Sequence, residues 1–412
     1  MNRAWGAVIV FFSGVSINFF FGLTSIFGYE YAGSDESALY IIYSVFLGGA
    51  TFLVFFRKLF AGQTSLGRDG FWMFGIPLIF LCAFLLSFIL NGGALSEASR
   101  KYALGFLLWS MPAFCAGIYF SIYKNKEIFR RLALFLCFFL FASSVTYLLG
   151  IFRQSNSNEE SVLLLYQTAS YQAALAFGLA LFFLVSSEPG ELSRFVKAAL
   201  ACMIPILFIT SLAAGGRGGA LLCLVYAVLL PLFLKDKRSR FNYLLVCLLL
   251  LIVFLILGDA AIGYLLGNTG FEVGLDRILL AFQGGQINWQ GSSGRDEVFE
   301  EAIRKFVAAP FFGYGPFGYY SEVGYPPHNI LLEVLLGFGL LGSLLWILFA
   351  CVIWSKIRVI SFLKGERVVF VFGVYALVHL MFSVTYLIHP EFWFFLGFCL
   401  GVSRLNERKN AA

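Results

Sequence analysis

Residues 326–354 read PPHNILLEVLLGFGLLGSLLWILFACVIW, a polar turn that runs directly into an apolar helix. From Asn329 to Trp354 the one charged side chain is Glu333. A helix needs about 20 predominantly apolar residues to cross the hydrocarbon of a bilayer, so this stretch reads as a span. Pro326 and Pro327 hold the approach to His328 stiff, because each proline ring locks its own φ. An ionisable side chain delivered rigidly to a membrane boundary calls for a chemical reason.

Working outward, the same texture fills the chain. Of 412 residues, 60% are hydrophobic and 13% charged, with a mean hydropathy of +0.86. A soluble domain would carry roughly a quarter charged residues. Apolar runs occupy about 5–27, 38–56, 71–90, 103–123, 132–152, 163–186, 198–213, 220–234, 242–257, 329–354, 369–388 and 392–403. The fold class expected is all-α, a polytopic transmembrane bundle of about twelve spans. The first run is too long for a signal-peptide core and reads as a retained span. All eight cysteines fall within apolar runs, with neither a disulfide framework nor metal-type spacing. No Walker loop, dinucleotide fingerprint, metal motif or catalytic-serine elbow is visible, and nothing suggests a nucleic-acid partner or a soluble second domain.

Basic residues alternate sharply from one connection to the next. One set of connections and termini holds 21 of the 29 Lys and Arg, including Arg57, Lys126, Lys235 and Arg367, and the other set holds 8. The positive-inside rule puts both termini in the cytoplasm. The organisation expected is then spans 1–9 over residues 1–257, an outer segment over 258–328, and spans 10–12 with a cytoplasmic tail over 329–412. The outer segment, lying between spans 9 and 10, is the one long connection, and such loops are usually functional or disordered. It has helical periodicity, with Val298, Ala302 and Phe306 on one side and Glu297, Glu300, Glu301, Arg304 and Lys305 opposite. Such a helix, capped by Ser292 or Ser293 and stopped by Pro310 and Gly313, would lie along the outer interface.

Three residues in outer positions have the right chemistry for an anionic substrate and a proton transfer. Arg217 stands in Gly215-Gly216-Arg217-Gly218-Gly219, where glycines let backbone approach a ligand and offer amides to an anion. The plainer account is an arginine snorkelling to the surface from a turn. Arg295 follows Ser292-Ser293-Gly294, and its guanidinium fork matches phosphate oxygens; it can equally pair with Asp296 or Glu297. His328 as a neutral imidazole can take a proton from a hydroxyl, or else serve as a cap at the helix start. Tyr314 and the other aromatics of the segment suit stacking on sugar rings, and equally an interfacial belt. His379 reads as a core residue, His389 with Glu391 as part of a short outer turn, and Glu333 as a partner-orienting or headgroup-level carboxylate.

Taken together these residues resemble the O-antigen ligase family and its related polymerases. The signature His, then Asn, nine residues and Gly-x-x-Gly reads here as His328, Asn329, Ile330 to Phe338, and Gly339-Leu340-Leu341-Gly342. Arg217-Gly218-Gly219 and the Ser-Gly-Arg ending at Arg295 are similar to further family motifs, as is the Pro-x-x-Gly-x-Gly at Pro310 to Gly315. The resemblance implies a metal-independent, cofactor-free, inverting glycosyltransferase of the bacterial inner membrane. Its donor would be an undecaprenyl-diphosphate-linked glycan, its acceptor the lipid A core or a growing glycan, and its active site would face the periplasm. The same resemblance implies that Arg217 and Arg295 hold the diphosphate, that His328 acts at the acceptor hydroxyl, and that Asn329 and Tyr314 lie at the substrate. A polymerase, with a chain-length regulator as partner, and a protein O-oligosaccharyltransferase are the readings within the superfamily. A lipid-linked glycan transporter is the reading outside it, although transporters usually gather polar groups near the midplane, often between internal repeats. Here the candidate cations sit toward one outer face, which suits an enzyme.

Overall fold

The structure is a computed structural model. It describes residues 3–27, 38–58, 67–90, 96–123, 126–154, 166–187, 190–214, 217–230, 295–362 and 366–410, with part of 240–248. All regular structure among these residues is helical. Among the described residues six helices are long and apolar enough to cross a membrane: Leu39–Lys58, Glu97–Ile122, Lys126–Gly150, Gln167–Ser186, Arg194–Ala213 and Ile330–Ile357. The bent pair Trp5–Gly14 and Ser16–Ile26 makes a seventh if it is one span, and Gly218–Leu229, Val369–Phe382 and Pro390–Val402 are shorter apolar helices. The helix Gly67–Leu90 coincides with the third apolar run. The expected run 242–257 and the outer segment up to residue 294 lie almost wholly outside the described residues.

The chain divides into two compact units, one of residues 1–16, 36–130 and 293–412, the other of 17–35 and 131–292. In the first unit the centre is the crossing of Met111–Ile122 with Pro390–Asn410. A Cβ on Gly117 would stand 2.0 Å from the Phe394 carbonyl oxygen, and one on Gly397 would stand 2.2 Å from that of Phe114. Lipid tails are as apolar as leucine, so helices in a bilayer are held together by close packing rather than by escape from water. The paired glycines permit that closeness. Next to them Trp393 is fully enclosed, with the rings of Phe80 and Phe106 at 5.6 and 5.2 Å and its indole N–H donating to the Tyr386 carbonyl at 2.6 Å. By contrast Leu340, Leu344, Leu345 and Leu348 stand open, as lipid-facing side chains do.

The two ends of this unit differ chemically. At one, the Lys126 ammonium pairs with Glu366 at 2.9 Å and donates to the carbonyls of Phe120 and Ser121 at 2.8 and 2.7 Å. Lys58 covers the Tyr119 ring there at 4.2 Å. At the other, the hydroxyl of Ser99 donates to the Phe317 carbonyl at 2.6 Å and that of Ser96 to the Tyr320 carbonyl at 3.2 Å.

The second unit centres on Tyr166–Ser186. Its Ser170 hydroxyl donates to the Ser211 carbonyl at 2.8 Å, and Ser211 returns a bond to the Ser170 carbonyl at 3.2 Å. The helix Arg217–Leu229 lies against the same surface.

Candidate active site

The site is built outward from a broken helix. Ile330–Phe362 is interrupted at Gly339, whose φ of 63° and ψ of −170° belong to a region open to glycine alone. Breaking a helix frees backbone groups, which within apolar surroundings must find other partners. They find them in the stretch Pro310 to Tyr314. The Leu340 amide donates to the Pro310 carbonyl at 2.8 Å and the Leu341 amide to that of Phe311 at 3.2 Å, while the Tyr314 amide donates to the Leu336 carbonyl at 2.8 Å. Gly313, with φ 66°, faces this break so closely that a Cβ would come within 2.5 Å of the Leu336 carbonyl oxygen. The Pro-x-x-Gly-x-Gly and Gly-x-x-Gly stretches are thus two halves of one backbone clasp.

The amphipathic helix Arg295–Ala308 leads into that clasp. Ala302 is buried, whereas Ile303, Val307, Phe311 and Phe312 are exposed. Its polar side, Glu297, Glu300, Glu301 and Arg304, lines a groove with Glu322, Val323 and Tyr325. Within the groove region Arg304 pairs with Glu301 and Lys305 with Glu322, so these cations are already matched by carboxylates. Such a groove repels an anionic diphosphate. Tyr314 donates its hydroxyl proton to the Lys305 carbonyl at 3.1 Å, and burial, followed by the nearby Glu322 carboxylate, holds its pKa above the usual value. Tyr314 therefore ties the clasp to the amphipathic helix.

After the short helix Tyr319–Val323, closed by Gly324 in the left-handed region, the chain passes the buried Pro326 and Pro327 to His328. Among the described residues His328 is the one non-glycine with positive φ, at 52°. A bulky residue there costs roughly 1–2 kcal/mol, which surrounding structure must offset. Its Nδ1 meets the Ser383 carbonyl, which lies just past the end of the helix Val369–Phe382. A carbonyl can only accept, so Nδ1 carries the proton and in the neutral ring Nε2 keeps the lone pair. The helix is capped by Asn329 rather than by His328: the Asn329 side-chain oxygen accepts from the Leu331 and Leu332 amides at 3.0 and 3.2 Å. That oxygen is therefore committed to the cap.

One turn on, Glu333 is buried, 4% exposed. Its Oε1 accepts from the hydroxyls of Tyr320 and Thr385, and its Oε2 from the Tyr386 amide at 3.4 Å. A carboxylate one turn into an apolar run was the sequence signal for this cluster; its partners were not visible because Thr385 is 52 residues away. His379 and His389 also meet, Nδ1 to Nε2 at 3.1 Å, with Glu391 at 3.3 Å from His389.

Residues 198–347 match the family model described as O-Antigen ligase. The chain carries an O-antigen ligase family segment. That segment holds all five sequence-derived candidates together with Glu333 and the clasp glycines. No curated protein matches the chain. The O-antigen ligase segment does not sit in one unit. Tyr314, His328, Asn329 and the helix that begins at Arg295 belong to the first, and Arg217, first residue of Arg217–Leu229, to the second. The side chains of Arg217 and Arg295 lie outside the described residues. Gly218 and Gly219 have a packing role: a Cβ on either would collide with Tyr171 or Ser170 of the neighbouring helix, at 1.7 and 2.2 Å. These two glycines are explained by helix crossing, without a ligand.

Proposed function

We propose that this chain is a membrane glycosyltransferase that moves a glycan from undecaprenyl diphosphate to a hydroxyl acceptor on the periplasmic side of the bacterial inner membrane. The observation that carries this is the held imidazole within the family segment: Nδ1–H of His328 donates to the Ser383 carbonyl, which puts the neutral ring's lone pair on Nε2. In the reaction, the acceptor hydroxyl gives its proton to Nε2 as its oxygen bonds to the anomeric carbon. The bond from that carbon to the phosphate oxygen breaks, and its electron pair leaves on the diphosphate. Arg217 and Arg295 offset the charge growing there, which lowers the barrier by electrostatic stabilisation. Inversion at the anomeric carbon follows from attack opposite the leaving group.

The preferred acceptor is the lipid A core, on the strength of the His328-Asn329, nine-residue, Gly-x-x-Gly spacing, with joining of repeat units as the alternative. Twelve spans, an outer segment over 258–328 and cytoplasmic termini complete the arrangement. The pairing of Lys126 with Glu366 supports it, since both connections were assigned to the same side by their basic residues. So do the bonds from Ser96 and Ser99 to the 317–321 stretch, two connections assigned to the other side. A deletion strain tests the acceptor. Loss of this chain should leave the lipid A core bare on a gel while long lipid-linked polymer accumulates. A core still capped, but with single repeat units, would identify a polymerase instead.

A further inference from the structure

Behind His328, three segments distant in sequence converge on one carboxylate. Ser383, whose carbonyl holds the imidazole, starts a short non-helical stretch between the helix Val369–Phe382 and the turn Tyr386–Ile388. A non-helical stretch has no helical ladder to hold it, so side chains must fix its backbone. Thr385 does so at one point, accepting from the Leu387 amide at 3.1 Å and donating to Glu333. Glu333 does so at a second, accepting from the Tyr386 amide at 3.4 Å. Tyr320 completes the cluster by donating to Glu333, with its oxygen 3.0 Å from that of Thr385. Ser110 steadies the far end through the Leu387 carbonyl at 2.6 Å.

We propose that Glu333 and Thr385 are positioning residues for His328: they fix the Ser383–Tyr386 stretch, so that the Ser383 carbonyl selects the tautomer protonated on Nδ1 and the ring orientation in which His328 acts as the base. This rests on the reading of His328 as the base. Geometry favours it over a merely structural cluster. Glu333 stands on the same helix start that His328 leads into, and the brace returns to His328 through Ser383. Histidine bases depend on a partner at the second ring nitrogen in this way. A buried carboxylate in an apolar span is also costly unless something is gained from it.

The test uses the full-length chain in lipid nanodiscs, with lipid-linked donor extracted from the deletion strain and lipid A core from the same strain. Thr385→Val removes the hydroxyl and keeps the shape. It should lower kcat by about 10- to 100-fold, the scale of a small misplacement of a catalytic group, with KM for donor and acceptor within about 2-fold. Thr385→Ser, which keeps the hydroxyl, should recover kcat to within about 3-fold of wild type. Glu333→Gln accepts from the hydroxyls but sets an N–H against the Tyr386 amide, and should fall between the two. Tyr320→Phe carries the same test if Thr385→Val fails to fold. The positioning role is overturned if the hydroxyl-less variants keep kcat, if they raise KM alone, or if Thr385→Ser is no better than Thr385→Val. His328→Ala separates this from the wider reading. An inactive wild type, or an active His328→Ala, removes the base and the brace together; an inactive His328→Ala beside an unimpaired Thr385→Val removes the brace alone.

Discussion

Arg217 and Arg295 share a position that chemistry can use: each is the first residue of a helix, where free backbone amides and the helix dipole favour an anion. A lysine at either place keeps the charge and loses the planar fork that grips two phosphate oxygens at once. Arg217→Lys and Arg295→Lys should each lower transfer at least about 10-fold, and the alanine variants should lose as much or more at unchanged membrane level, since hydrogen bonds to charged groups contribute about 1.5–3 kcal/mol. Near wild-type turnover in both alanine variants would make the arginines structural. At this scale the sequence was informative about which residues are chemically odd and silent about what they touch. His328 stood out through its prolines, and Glu333 through its apolar setting. That Asn329 and not His328 caps the helix, and that Ser383 fixes the imidazole, depend on a backbone turn and on a residue 55 positions away. Neither is encoded in local spacing.

Among the elements, the helix Ile330–Phe362 holds a break at Gly339 that the apolar run did not disclose. Within an apolar run, Gly-x-x-Gly looks like a stripe for close helix packing, and a left-handed break needs knowledge of what re-satisfies the freed amides. The clasp supplies it, and makes a graded prediction. Gly339→Ala would put a Cβ 2.3 Å from the Phe311 carbonyl in addition to its backbone strain. It should destabilise the protein by about 3 kcal/mol or more. Gly315→Ala also has a positive φ but meets nothing within 4 Å, so it should cost about 1 kcal/mol. Thermal unfolding of the two variants in detergent measures the difference; equal losses would mean the backbone contact is not what requires Gly339. The amphipathic helix, by contrast, was legible, because a charged face opposite an apolar one survives in any folded context. Its extent, Arg295–Ala308, follows the expected stop near Pro310.

For the whole molecule, alternation of basic connections predicts sidedness without reference to any helix boundary. Ser239→Cys should be protected from a membrane-impermeant maleimide in intact cells with a permeabilised outer membrane, whereas Glu322→Cys, at an exposed position, should react. Labelling of Ser239→Cys from outside would invert the topology and move the proposed site to the cytoplasm. Apolar runs foretold most helices because length and hydropathy are local quantities. The bend between Gly14 and Ser16 and the shortness of Val369–Phe382 are not, being set by what each helix meets.

The clasp at Gly339 also bears on how parts of this chain can be exchanged with those of proteins that share its family segment. Main-chain bonds from residues 340 and 341 to 310 and 311 make the stretch that follows the helix Arg295–Ala308 and the helix Ile330–Phe362 a single inheritable block. A chimera cut at the apparent loop-to-span junction, after Asn329, would join halves whose backbones never matched. Exchange of residues 295–341 as one cassette keeps both sides of the seam from the same parent, and is the graft most suited to fold intact.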